Sequence, residues 1–163
     1  MSVELYRVDD RLIHGQVVVG WAQPLGVTFI LLVDAAVAET EWEQDLYRKS
    51  VPFDIEIAFA TVAQACVRLP ELQADKRRGI VLAPDVKTML SLHECSPTFT
   101  KVNLGGIHTG PGRAPCLRYV YLSSAEEAQL RALAARGVQI TAQDVPACHP
   151  TPLEEILGRR RAS

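Results

Sequence analysis

The densest chemistry in the chain lies near its start, in Arg7-Val8-Asp9-Asp10-Arg11-Leu12-Ile13-His14-Gly15-Gln16-Val17. An imidazole is nucleophilic through an unprotonated ring nitrogen, and a neighbouring carboxylate fixes which nitrogen that is. Asp9 or Asp10 could supply that carboxylate to His14. Arg7 and Arg11 add forked, charge-assisted donors suited to phosphate oxygens. Gly15 lets backbone approach a phosphate without a Cβ in the way. Gln16 follows at a helix start, where main-chain N–H groups lack partners and favour anions. Nucleophile, orienting carboxylate and anion cradle are the parts of a phosphohistidine site. On spacing alone, the same residues read equally well as loop ion pairs around a hydrogen-bonded histidine.

A second segment, Gly105-Gly106-Ile107-His108-Thr109-Gly110-Pro111-Gly112-Arg113, is rich in glycine. It lacks both the Lys-Ser/Thr of a phosphate-binding P-loop and the G-x-G-x-x-G spacing, which argues against a nucleotide loop. It reads first as a flexible loop at a strand end with a solvated histidine. On the rim it shares with His14, its His108 and Arg113 could face a phosphoryl group or an acidic partner. No G-x-S-x-G elbow supports a hydrolase. Cys66, Cys95, Cys116 and Cys148 form no C-x-x-C pair and read as reduced thiols of a cytosolic protein. Neither His93/Cys95 nor Cys148/His149 has a common zinc spacing, so no metal is expected. Trp21 and Trp42 sit at helical positions and are expected to pack.

These groups need elements that hold them. An apolar strand over 3–8 runs straight into the first polar loop. Val17, Val18, Trp21 and Ala22 share one face of a short helix, which Pro24 and Gly26 should end. Strands are expected at 27–33, 55–59, 80–83, 102–104, 119–122 and 138–145. Helices are expected over 40–50 from a Thr40/Glu43 capping box, and from Thr61/Gln64. Others are expected over 85–93, and over 124–135 from Ser124/Glu127. Gly137 should close the last of these. Thr151, Pro152 and Glu154 read as N-cap, N1 and N3 of a final helix.

Such alternation predicts one α/β domain over 1–163, an open, mostly parallel twisted sheet with helices on both faces. Ligands bind such sheets beyond the C-terminal strand ends. The loops at 9–15, 34–39 and 105–113 should therefore share a rim.

Charge is nearly balanced in the 163 residues, with 17 Lys and Arg against 19 Asp and Glu and a net charge of -2. That argues against a nucleic-acid partner, and the Arg159-Arg160-Arg161 run reads as a solvated tail. The first residues carry charge and no secretory pattern, and no stretch has the length of an apolar membrane span.

RVDDRLIHGQV resembles the signature of enzyme IIB in the mannose, fructose and sorbose branch of the bacterial sugar phosphotransferase system. The resemblance continues through ETEWEQDLYRKSVP, KVNLGGIHTGPGR, YVYLS and LAARGVQITAQDVP, in the family's order. It implies an open α/β fold with the phosphorylated histidine in the first strand-to-helix loop, here His14. It implies that Asp9 and Arg11 support the phosphohistidine, with Arg7 beside them. The implied activity is that of a protein-N(π)-phosphohistidine–sugar phosphotransferase without a cofactor. In that relay a IIA phosphohistidine loads His14, and the group passes to a sugar held by membrane IIC and IID subunits. The chain would then be cytoplasmic, attached peripherally to the membrane through those subunits. A phosphorylatable regulatory protein uncoupled from transport would show the same residues. One departure stands out: family members often carry Asn-Asp-Glu after the second strand, where this chain has Asp34-Ala35-Ala36.

Overall fold

A computed structural model describes residues 2–162. Strand β1 (Val3–Val8) leads through the polar loop into a π-helical segment, Gln16–Ala22. Then come β2 (Phe29–Val33), α1 (Ala35–Ala38), α2 (Glu41–Lys49), β3 (Glu56–Ala60), α3 (Val62–Ala74), β4 (Gly79–Ala83), α4 (Val86–Cys95) and β5 (Lys101–Leu104). A hairpin of β6 (Ala114–Leu117) and β7 (Val120–Leu122) precedes α5 (Ser124–Ala135). The described chain ends with β8 (Gln139–Ala142), β9 (Thr151–Pro152) and α6 (Leu153–Ala162).

The main sheet has the order β3-β2-β4-β1-β5-β8-β9. All its pairs are parallel except β8 with the short edge strand β9. Every residue of β2 (FILLV) and β4 (GIVLA) is buried, as a strand covered on both faces requires. On one face Ile30, Leu32, Ile80 and Leu82 pack under Val17, Val18 and Trp21 of the π-helical segment. On the other, Leu31, Val33 and Val81 share a core with Leu69 of α3, Leu92 of α4, Leu133 of α5 and Ile156 of α6.

Connections diverge beside β1. The chain leaves β1 for β2 on one side, whereas it leaves β5 for β8 on the other. Adjacent strands whose connections part in this way open a crevice at their carboxyl ends, where open α/β sheets bind ligands. Arg7 of β1 and Asn103 of β5 are register partners at that crevice.

Several boundaries differ from the sequence expectation for local reasons. Thr40 is the N-cap of α2 but makes no capping box, because its hydroxyl donates to the Ala36 carbonyl at 2.7 Å and so serves the end of α1. The box before α5 is Ser123/Glu126 rather than Ser124/Glu127, while Thr61/Gln64 forms as expected. Thr151 and Pro152 pair with β8 instead of starting α6. Proline is tolerated there because an edge strand can spare one donor. The final parallel strand stops at Ala142, freeing 143–146 to turn over the crevice.

Two packing expectations are also corrected. Cys66 and Cys95 are joined as a disulfide, since packing of α3 beside α4 brings their Cα atoms to 6.0 Å. Spacing could not reveal that. Trp21 is buried, but Trp42 is 68% exposed on α2, a helix with no buried residue.

Candidate functional site

Asp9 is the hub of the crevice. It leaves the end of β1 fully buried, and its Oδ2 accepts from Arg7 Nη2 at 3.1 Å, Arg11 Nη2 at 3.0 Å and His14 Nε2 at 3.3 Å. Its Oδ1 accepts from the Arg11 main-chain N–H at 3.1 Å and Arg11 Nε at 3.0 Å. Burial alone would raise this carboxyl. The hydrogen bonds from His14 and Arg11 and the charges of Arg7 and Arg11 outweigh it, holding Asp9 well below the usual carboxylate range.

The backbone is bent to make this possible. Leu12 has φ 59°, the one positive φ at a non-glycine among the described residues. A left-handed leucine costs about 1–2 kcal/mol, here offset by the Asp9 bonds on either side of the turn. The turn closes with Leu12 N–H on the Asp9 carbonyl at 3.1 Å. Such strain persists only where surrounding contacts over-determine it, and it clusters at functional sites.

Arg7 supports the floor. Its guanidinium is wholly buried, donates to the Gln143 carbonyl at 2.8 Å and the Asp144 carbonyl at 3.0 Å, and also bonds Asn103 Oδ1. The Trp21 ring lies 5.1 Å from it. Burial lowers the Arg7 pKa against the pull of Asp9, yet a guanidinium does not lose its proton in a protein. Arg7 is therefore a fixed internal cation.

His14 sits above this floor with 21% of its side chain exposed. An ionised carboxylate can only accept, so the ring proton belongs on Nε2 facing Asp9. Nδ1 then holds the free lone pair, and it accepts the Gln16 main-chain N–H at 3.2 Å. The arrangement yields a neutral imidazole with one nitrogen anchored and the other aimed at an N–H that could pass to an arriving oxyanion.

The 105–113 loop emerges on the same rim. Gly105 N–H bonds the Val8 carbonyl at 2.8 Å and Asp10 N–H bonds the Gly106 carbonyl at 2.8 Å. Asp10 turns away from His14 and clasps His108, through its N–H and Nδ1, both at 2.7 Å. Arg113 is no free donor: it forks onto Glu126 of α5 at 2.9 and 3.0 Å and holds the His108 carbonyl at 2.7 Å. The loop is stapled at both ends.

The structure thus gathers Arg7, Asp9, Arg11, His14 and Gln16, and puts Asp10, His108 and Arg113 in the loop clasp. Gly15 is not sterically required, since an added Cβ would meet nothing within 4 Å. The critical glycines are Gly105, whose Cβ would strike the Arg7 guanidinium and come 2.6 Å from Asp9 Oδ2, and Gly106, at 2.8 Å from Arg11 Nε. Sequence reasoning missed Asn103 and the 143–144 turn. The polar Gln143-Asp144 pair directly after an apolar strand was the available signal. No group of three or more metal-ligating side chains occurs among the described residues.

A buried carboxylate thus presents a histidine at the crevice along the carboxyl ends of the strands. The sequence matches the family described as PTS system sorbose subfamily IIB component over residues 3–163, and the chain belongs to that family. It is 28% identical over 146 residues to N-acetylgalactosamine-specific phosphotransferase enzyme IIB component 1 of Escherichia coli K12, covering 89% of this chain and 92% of the relative. It is 26% identical to the mannose-specific EIIAB component of the same organism, matching 98% of this chain but 49% of that protein. The crystal structure of the IIBSor domain of the sorbose permease from Klebsiella pneumoniae superposes with a TM-score of 0.88 at 23% identity, covering 97% of this chain and 98% of that one. As a PTS IIB component, the chain is of the phosphotransferase class that serves sugar uptake.

Proposed function

We propose that this chain is a cytoplasmic phosphoryl carrier in which His14 takes a phosphoryl group from a IIA phosphohistidine. His14 then passes the group to a sugar held by membrane IIC and IID subunits. The observation that carries the reading is the His14 ring, with Nε2 on buried Asp9 and Nδ1 open except for the Gln16 N–H. Family membership supplies the context, and one relative's name, EIIAB, joins a IIA and a IIB part in one protein. No described helix is long and apolar enough to cross a membrane, so translocation in this reading belongs to the permease subunits.

In the loading step the Nδ1 lone pair forms a bond to phosphorus as the donor's P–N bond breaks, its electron pair staying on the donor ring. The His14 ring gains positive character while Nε2–H remains on Asp9. The carboxylate stabilises that charge, as an orienting Asp does for an imidazolium. Arg11 and the Gln16 N–H offer donors to the phosphoryl oxygens. In the onward step a sugar hydroxyl oxygen attacks phosphorus, the P–N electrons return to Nδ1, and the hydroxyl proton leaves to solvent.

The test is labelling by a phosphorylated IIA protein, followed by addition of sugar and permease-containing membranes. Wild type should acquire an acid-labile phosphate and lose it to sugar, and His14→Ala should acquire none. Full labelling of the folded His14→Ala variant would defeat the assignment. Labelling that never drains to any sugar would instead favour a regulatory role.

A further inference from the structure

Asp144 is a second carboxylate at the site, and the transfer steps described above make no use of its charge. Its main-chain carbonyl does structural duty, accepting from Arg7 Nη2 at 3.0 Å and Trp21 Nε1 at 3.3 Å. Its side chain faces the other way, onto the groups expected to meet phosphate. Oδ1 accepts from Arg11 Nη2 at 3.5 Å, and Oδ2 accepts from Gln16 Nε2 at 3.3 Å. The exposed Arg118 guanidinium lies 4.0 Å from Oδ2. The carboxylate is 15% exposed and therefore only partly screened.

Arg11 is thus shared between two carboxylates before any phosphoryl group arrives. Asp9 holds it through three bonds, leaving Asp144 as the weaker partner at the outer edge. A phosphoryl group on Nδ1 would compete with Asp144 for Arg11 and Gln16, and would feel its negative charge.

We propose that Asp144 is a positioning residue that raises the transfer potential of phosphorylated His14, by drawing on the donors the phosphoryl group needs. The proposal rests on His14 being the phosphoryl acceptor. Transfer from one histidine to another conserves the bond type, a P–N bond broken and a P–N bond formed. The equilibrium is therefore set by surroundings, and the charge of Asp144 enters it directly. A unit charge about 5 Å away at an effective dielectric near 50, between those of a protein surface and water, shifts such an equilibrium by about tenfold.

The experiment measures the equilibrium distribution of phosphate between a IIA donor and the chain, in wild type, Asp144→Asn and Asp144→Glu. Asp144→Asn keeps the main-chain carbonyl and an acceptor for Gln16 while deleting the charge. It should move the equilibrium about tenfold toward the phosphorylated chain and slow spontaneous dephosphorylation, with Asp144→Glu near wild type. Asp45→Asn, whose exposed carboxylate pairs with Arg48 on α2, should change nothing. If Asp144→Asn does not fold, Asp144→Ser reads the same equilibrium. An unchanged equilibrium, or one moved away from the phosphorylated chain, overturns the proposal and leaves Asp144 a scaffold. Absence of label on His14 in wild type would instead defeat the phosphoryl-carrier reading itself.

Discussion

The chain makes the same Asp-x-Arg clasp twice. Asp9 and Arg11 form one at the carboxyl rim, and Asp75 and Arg77 form the other just before β4, at the opposite end of the sheet. In each, the arginine N–H returns to its own aspartate, at 3.1 Å in the first and 2.8 Å in the second. In each, Nε and Nη2 fork onto the same carboxylate. Local sequence therefore specifies the clasp but not its use. Asp75 meets water and one further surface partner through Arg77, Glu56 at 2.8 Å. Asp9 is fully buried and receives a second cation, Arg7, from the strand beneath it and His14 from above. Burial turns a solvent-screened pair into a fixed charge that can orient a nucleophile.

Removing the two aspartates should separate those roles most sharply. Asp9→Ala leaves buried Arg7 facing only neutral acceptors, and breaking a buried pair costs about 3–5 kcal/mol. Denaturant unfolding should show that loss, and phosphate labelling of His14 should vanish. Asp75→Ala should label normally and unfold close to wild type, because its pair is solvent-exposed. Equal effects of the two variants would mean that burial is not what distinguishes the sites.

The arginines give the next effect. Arg11→Ala removes a preorganised donor, which typically costs roughly a hundredfold in rate. Arg11→Lys should recover only part, as an ammonium cannot reproduce the fork. Arg77→Ala should leave single-turnover phosphoryl transfer unchanged. A wild-type rate in Arg11→Ala would take Arg11 out of the chemistry.

Glycines sharpen the contrast further. Gly105→Ala forces a Cβ into Arg7 and Asp9, both pinned and unable to retreat. Overpacking of this kind costs about 1–3 kcal/mol, and here it should also depress labelling. Gly15→Ala adds a methyl group to open space in right-handed helical backbone, and it should behave as wild type. Thermal midpoints with initial labelling rates would show whether Gly105, and not Gly15, is the intolerant position.

Much of this was legible from residue order. Fully apolar β2 and β4, with helical patterns between them, carry the parallel sheet. The position of RVDDRLIHGQV across the end of β1 places its histidine at the rim. What stayed hidden depends on distant chain. The polar Gln143-Asp144 pair hints at a turn, but neither it nor Asn103 announces a contact with Arg7, because those contacts span 137 and 96 residues. The division of labour between Asp9 and Asp10 was equally hidden: they are neighbours in the same turn, and only the arrival of His108 from the second loop claims Asp10. Asp34, which follows β2, caps α1 by accepting the Val37 N–H. Its charge thus serves a helix end rather than the rim.

Acid titration should give the smallest and most graded difference between the clasps. Asp9 and Asp75 are both held below the usual carboxylate range. Asp9 is shifted despite a burial penalty that its donors overcome, and Asp75 through its hydrogen bonds to Arg77. An aspartate depressed in the folded state binds its proton more readily when unfolded. Its contribution to stability is therefore complete above the unfolded pKa, about 3.9, and is lost as pH falls through the folded value. Unfolding free energy should accordingly be level from neutral pH down to about pH 4 on account of these two groups, then decline. Asp9 carries the larger shift, so Asp9→Asn should flatten that decline while lowering the plateau. Asp75→Asn should alter the slope less and leave the plateau near wild type, because water already screens its partners. Denaturant titrations of the three proteins across the acid range would decide it. An acid limb flattened more by Asp75→Asn than by Asp9→Asn would show that the exposed clasp, not the buried one, dominates the coupling of charge to folding.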